Sequence, residues 1–213
     1  IRRLIHRNRI ALGEAVASCD GDRPRSLGIV GAGIMGTAIA AAAARHGLAV
    51  VLTDSRSESL AGAAERIARE LGGNAGGVIE RLLRTTADAA EAARCDIVLE
   101  SVAEDLHVKQ EVLRWLEPHL ERRAILATNT STIPIARLAG VLARPDRFCG
   151  IHFFHPVGER PLVELVRGPA TEGRTVRMAM TLAESLGKMA IVVDDGPGFL
   201  VNRLLLPYLT EAM

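Results

Sequence analysis

Three observations predict an α/β fold built on a doubly wound, mostly parallel sheet. Short apolar runs alternate with helical patterns along most of the chain, the arrangement that covers a parallel sheet on both faces. The first such unit is a strand, a glycine turn (Gly31-Ala32-Gly33-Ile34-Met35-Gly36) and an Ala-rich helix, so the sheet is expected to be of the Rossmann type. The polar residues best suited to chemistry fall at the C-terminal ends of the expected strands, the rim where ligands bind in such sheets.

Taken in order, residues 1–19 read as a basic amphipathic helix. Ile1, Leu4, Ile5, Leu12 and Val16 fall near one face, with Arg2, Arg3, Arg7 and Arg9 around it. We expect a linker or docking helix here, ending in Asp20–Arg25. An Arg-rich transit peptide is the alternative, set against few serines and a direct run into the domain. Strand Leu27–Val30 leads through the glycine turn to a helix ending near His46, stopped by Gly47. Strand Ala49–Thr53 precedes a helix over Glu58–Leu71, which the run Gly72-Gly73-Asn74-Ala75-Gly76-Gly77 breaks. A short element, Val78–Leu83, leads to Thr85–Asp88, and Ala89–Arg94 makes a helical turn or two. Asp96–Glu100 reads as a buried strand, and Glu104–Glu117 as an amphipathic helix stopped by Pro118. Strand Ala124–Ala127 delivers Thr128–Thr132 to the rim, and Pro134 opens a short helix. Strands Phe148–Phe154 and Leu162–Val166, helix Arg174–Leu186, strand Ala190–Val193 and a helix from Phe199 to about Tyr208 complete the expected order.

The chain has 213 residues, enough for one full domain and part of another. Its 48% hydrophobic content supplies a core and argues against global disorder. A net charge of +1 gives no sign of a nucleic-acid partner, and no apolar run has membrane-spanning length. Lys109 and Lys188 are the only lysines. Cys19, Cys95 and Cys149 are odd in number and form no CxxC, which fits a reducing compartment; the cytoplasm is the expected one and the mitochondrial matrix the alternative. No metal ligand set is expected.

Each glycine of the turn has its own expected task. Gly31 lets the chain bend sharply, Gly33 clears space for a pyrophosphate, and Gly36 lets the helix pack close to the strand. With the helix dipole behind them, Gly31, Gly33, Ile34, Met35 and Gly36 form the expected phosphate cradle. Asp54, about 20 residues on, ends the next apolar run where a ribose-binding carboxylate belongs. It favours NAD over NADP because it would repel a 2′-phosphate; Arg56, two residues on, weakens that preference.

A His inside an apolar strand is usually a satisfied core residue. His152 is set apart by Glu164 in the next strand, because a carboxylate in an apolar run needs a partner. Adjacent strands can bring the two together, either as an orienting pair behind a general base or as a structural buried pair. His155, on the other face, is a weaker candidate.

The stretches GAGIMG, Asp54, DIVLESVAEDLHVK, NTSTIPI, FCGIHFFHPV, PLVELVRG and DDGPGFLVNRLLLPY, in this order, resemble the L-3-hydroxyacyl-CoA dehydrogenase family over about residues 26–213. The similarity is greatest to the dehydrogenase part of multifunctional fatty-acid oxidation proteins, where an enoyl-CoA hydratase domain precedes it. The resemblance implies an NAD-dependent enzyme of fatty-acid β-oxidation that converts 3-hydroxyacyl-CoA to 3-oxoacyl-CoA. It makes His152 the general base, Glu164 its orienting acid, Ser131 a partner of the substrate oxygen and Asn202 the group that polarises the thioester carbonyl. Glu104 and Lys109 are implied near the nicotinamide ribose and Asn129 at the cofactor; for Lys109 the alternative is a solvated helix face.

Three departures from the family pattern stand out. His155 replaces an Asn, the excursion between Asp54 and Asp96 is shorter than the family's CoA-holding helical arm, and the chain stops at Met213, before most of the all-helical C-terminal domain. The expected domains are a linker over 1–25, an NAD-binding domain over 26–194 and the first helix of a truncated helical domain over 195–213. Poor turnover is expected of this stretch alone, and a homo-oligomer of the full-length protein. The rival readings are a related dehydrogenase acting on a hydroxy acid or an acyl-carrier-protein thioester, and a non-catalytic NAD-binding relative.

Overall fold

The computed structural model describes residues 23–72 and 75–211; the expected N-terminal helix and Cys19 lie outside the described residues. Among the described residues, eight strands form one sheet: β1 (Ser26–Val30), β2 (Ala49–Thr53), β3 (Leu83–Thr86), β4 (Ile97–Glu100), β5 (Ile125–Thr128), β6 (Phe148–Phe153), β7 (Leu162–Arg167) and β8 (Met189–Asp194). Their spatial order is β3-β2-β1-β4-β5-β6-β7-β8. Every pair is parallel except β6–β7. The expected doubly wound, mostly parallel sheet is thus what forms.

The helices are α1 (Ile34–Arg45), α2 (Ser57–Ala61), α3 (Ala63–Leu71), α4 (Ala75–Leu82), α5 (Ala89–Ala93), α6 (Leu106–Leu116), α7 (Ile135–Ala139), α8 (Gly173–Ser185) and α9 (Val201–Glu211). One core layer joins the sheet to α1, α3 and α8, and the other joins it to α5, α6 and α7. Helix α1 is buried from Gly36 to Ala44, and its small side chains let it approach the sheet closely. Fully buried side chains such as Ile29, Leu52 and Leu99 each contribute about 1.5–3 kcal/mol. Cys95 and Cys149 are unpaired and buried, and burial pushes their thiols up to about 11 and about 12.

Local side-chain bonds set several helix starts at the rim. Asp105 accepts from His107 N and Val108 N, capping α6. Asp195, just beyond β8, accepts from Ile135 N at 2.9 Å and Ala136 N at 2.8 Å, tying the end of the last strand to α7.

Three expectations need correction between β2 and β4. The single helix expected over Glu58–Leu71 is two, joined at Gly62, a residue poor at holding a helix interior. Ala75–Leu82 is helical despite Gly76 and Gly77, because Val78, Ile79 and Leu82 pack on the core. Leu83–Thr86 is an edge strand, held by its pairing with β2 rather than by an apolar pattern.

Candidate active site and cofactor cleft

The C-terminal ends of β1, β2, β4, β5 and β6 surround a cleft of about 730 Å³. The glycine turn forms one wall. Gly31 has φ +115°, and a Cβ there would stand 2.4 Å from Ser101 O. A Cβ on Gly36 would stand 1.8 Å from Gly31 O, so only glycine lets α1 begin this close to the turn. A Cβ on Gly33 meets nothing within 4 Å, because the position faces open space. No side chain caps α1, and its first turn holds no acidic residue. The unfilled backbone donors and this clearance fit the pyrophosphate of a dinucleotide.

Asp54 follows β2. Its Oδ2 accepts Ala32 N–H at 2.8 Å and its Oδ1 accepts Arg56 N–H at 2.9 Å, so the carboxylate braces the glycine turn. Lone pairs remain for ribose hydroxyls. The Arg56 guanidinium lies 3.6 Å from Oδ1 and is largely exposed.

A second carboxylate organises the opposite rim. Glu104 Oε1 accepts from Thr130 Oγ1 (2.7 Å), Ser131 N (2.8 Å), Ser131 Oγ (3.1 Å), Thr132 N (3.1 Å) and Thr132 Oγ1 (3.2 Å). Burial pushes its carboxyl upward, but the bonds from Thr130, Ser131 and Thr132 and the charge of Lys109 outweigh that, leaving it below the usual carboxylate range. Beneath lies a buried pair: Lys109 Nζ donates to Glu100 Oε1 at 2.8 Å and lies 3.4 Å from Glu104 Oε2. The other oxygen of Glu100 accepts from Thr128 Oγ1 at 2.7 Å. Lys109 is 1% exposed, so the solvated-face alternative fails. It meets the cleft wall through Glu104 and, at 3.4 Å, through the carbonyl of Val102. Asn129 Oδ1 accepts Phe153 N–H at 3.0 Å, joining the ends of β5 and β6.

Antiparallel pairing of β6 and β7 sets His152 directly opposite Glu164. His152 Nδ1–H donates to Glu164 Oε2 at 2.7 Å, and both side chains are buried. This fixes the tautomer of the neutral ring and leaves Nε2 as its free acceptor. Glu164 Oε1 accepts from Leu200 N at 2.9 Å and Val201 N at 2.8 Å. Burial raises the Glu164 carboxyl, but His152 and these two N–H groups more than offset that and hold it low. Asn202 Nδ2 donates to Ser131 O at 3.0 Å.

Of the residues singled out in the sequence, Gly31, Gly33, Ile34, Met35, Asp54, Glu104, Asn129, Ser131 and His152 line one cleft. Gly36, Lys109 and Glu164 stand behind its wall, each next to a lining group, and part-exposed Asn202 lies beside the cleft, bonded to Ser131. His155 also lines the cleft and is exposed. Sequence reasoning passed over Val108 and Val112, which form an apolar wall one position off the buried stripe of α6. It also passed over Glu100, although a carboxylate closing an apolar strand was the same signal that singled out Glu164.

Residues 26–196 match the family model described as 3-hydroxyacyl-CoA dehydrogenase, NAD binding domain. The chain is 35% identical to the crystal structure of FadB2 from M. tuberculosis, covering 90% of this chain and 71% of that one at a TM-score of 0.84. It is 36% identical to (S)-3-hydroxybutyryl-CoA dehydrogenase PaaH1 from Ralstonia eutropha, covering 89% and 70% at 0.84. It is also 30% identical to the dehydrogenase part of multifunctional enzyme 1 from C. elegans, covering 80% and 41% at 0.74. Among the described residues, no helix is long and apolar enough to cross a membrane. Sequence match, sheet order and the dinucleotide-shaped rim agree: the chain belongs to the 3-hydroxyacyl-CoA dehydrogenase family of NAD-dependent enzymes and carries its NAD-binding domain.

Proposed function

We propose that this chain oxidises the C3 hydroxyl of a 3-hydroxyacyl-CoA to the 3-oxoacyl-CoA, reversibly, as a step of fatty-acid β-oxidation. The observation that carries the reading is the buried His152–Glu164 pair at 2.7 Å, opening on the same cleft as the glycine turn. Bound NAD would supply the acceptor for the C3 hydride. His152 Nε2 takes the hydroxyl proton as that hydride leaves, and Glu164 holds the ring and stabilises the imidazolium. The Ser131 hydroxyl, at the cleft and bonded to Glu104, is placed to orient the substrate oxygen. Asn202 has a second amide N–H beyond the one given to Ser131 O, a donor for the thioester carbonyl where charge develops. Asp54 takes the ribose hydroxyls and the α1 N-terminus the pyrophosphate.

In this reading residues 26–194 are the NAD-binding domain and 195–213 open a helical domain, with 1–25 a linker from an upstream domain such as an enoyl-CoA hydratase. The full-length protein is a homo-oligomer of a reducing compartment. The direct test is NADH-dependent reduction of acetoacetyl-CoA by the full-length protein. Turnover is expected, and its absence alongside intact NADH binding overturns the reading. Free 3-oxo acids and carrier-protein thioesters, assayed beside the CoA ester, decide the substrate class.

A further inference from the structure

The last helix starts against the proposed reaction centre, and four contacts join them. The Phe199 ring stands edge-on to the His152 imidazole, with centroids 5.9 Å apart, and Phe199 is buried. Leu200 N–H and Val201 N–H converge on Glu164 Oε1, while Oε2 of the same carboxylate accepts the hydrogen bond from His152 Nδ1–H. Asn202 donates to the carbonyl of Ser131. Two successive residues are left-handed, Gly198 at φ +69° and Phe199 at φ +48°. For a bulky L residue that conformation persists only where the surroundings over-determine it.

We propose that the turn Gly198–Asn202 is a positioning latch for the His152–Glu164 pair, with Phe199 its key residue. A carboxylate can rotate about its last bond. Two backbone donors on Oε1 stop that rotation and hold Oε2 at the imidazole. Glu164 is wholly buried, so water does not replace a donor that is lost. The imidazole in turn is walled by the rings of Phe154 and Phe199, whose centroids lie 4.4 Å and 5.9 Å from its own. The direction in which Nε2 points therefore depends on α9 being seated, and α9 is anchored from both sides. Asp195 fastens its approach to α7, and Asn202 fastens its first turn to the Ser131 loop. The latch rests on the reading of His152 as the proton acceptor.

Two variants of the full-length protein test it. Phe199→Gly suits the left-handed backbone, so the turn persists and the ring alone is lost. Val201→Pro stands at the first position of α9, where proline is tolerated, and deletes one donor to Glu164. Each is expected to lower kcat for acetoacetyl-CoA reduction about ten-fold with NADH Kd unchanged. Each is also expected to shift or broaden the low-field proton resonance of the His152 Nδ1–H···Glu164 bond. Unchanged kcat and resonance in both variants overturn the latch, as does a loss of NADH affinity in proportion to kcat. If the wild-type protein reduces no 3-oxoacyl-CoA, the proposed reaction falls. The resonance then decides the latch alone: a shift in the variants supports it and an unchanged signal overturns it.

Discussion

On the side of β1 and β2 the cleft is built largely from backbone. Gly31 bends, Gly33 clears space, Gly36 permits contact, and the uncapped start of α1 faces the opening. On the side of β6 and β7 it is built from side chains. His152 and Glu164 meet across an antiparallel pair, and the turn before α9 holds them there. The backbone side works through residues that have little side chain to misplace, so it is local in sequence and carries little buried charge. The side-chain side joins residues from three distant segments, so its geometry depends on the whole sheet. Between them lies the Glu100–Lys109–Glu104 cluster, which holds the loop carrying Asn129 and Ser131.

If the two sides are separable, substitutions should split binding from turnover. The largest effect is expected at His152. His152→Ala should lower kcat by about 10²–10⁴-fold and leave NADH affinity unchanged in a fluorescence titration; parallel losses in both would break the separation. Next is Lys109→Ala, which removes the cation paired with the buried Glu100 carboxylate, leaving it the donors of Thr128 and Val102. It should cost about 3–5 kcal/mol in urea unfolding and weaken both functions, because the cluster serves both sides. Gly36→Ala should cost about 1–3 kcal/mol from the clash with Gly31 O. It should raise NADH Kd while leaving kcat at saturating NADH nearly unchanged.

The smallest effect concerns pH. Glu164 has a carboxyl held below its ordinary value despite burial, mainly by the bonds from His152 and from Val201 and Leu200 N–H, and Glu104 is likewise held low. A lowered carboxyl contributes stability that is present above the ordinary glutamate value of about 4.3 and is lost as pH falls through the folded-state value. Unfolding free energy should therefore decline below that pH. Glu164→Gln should flatten the decline through the β6–β7 side and Glu104→Gln through the cluster between the two sides. Equal slopes in wild type and both variants would show that neither carboxylate carries the acid sensitivity.

The backbone side was the more legible in sequence, for the reason just given. A glycine turn between an apolar run and an Ala-rich helix is a local pattern, and Asp54 follows at a set spacing. Strand and helix order could be read because burial on both faces leaves β4, β5 and β6 mostly apolar. The edge defeated that logic: in β3, Arg84 and Thr85 are exposed and the strand exists only through its neighbour. The Gly76–Gly77 helix was illegible because tertiary packing overrode propensity. At the site, the His152–Glu164 pairing was legible as two polar residues in apolar strands. The burial of Lys109 was not, because the side chain gives no sign of its depth until Glu100 is placed beneath it. Nor was the double donation from Leu200 and Val201, since backbone N–H groups leave no mark in a sequence.

The reversal of direction between β6 and β7 has a consequence for how this chain tolerates change. Successive side chains of a strand alternate between faces, so Glu164 reaches His152 only while the connection from Phe153 to Leu162 keeps its parity. An insertion of two residues can bulge outward or slide the strand by a full repeat, keeping a side chain on the correct face. An insertion of one that shifts the pairing turns Glu164 to the opposite face and brings Val163 or Leu165 to the imidazole. The partner of His152 is thus encoded partly as an odd-or-even count in the connection between β6 and β7. Length variation there should be counted modulo two before it is judged harmless.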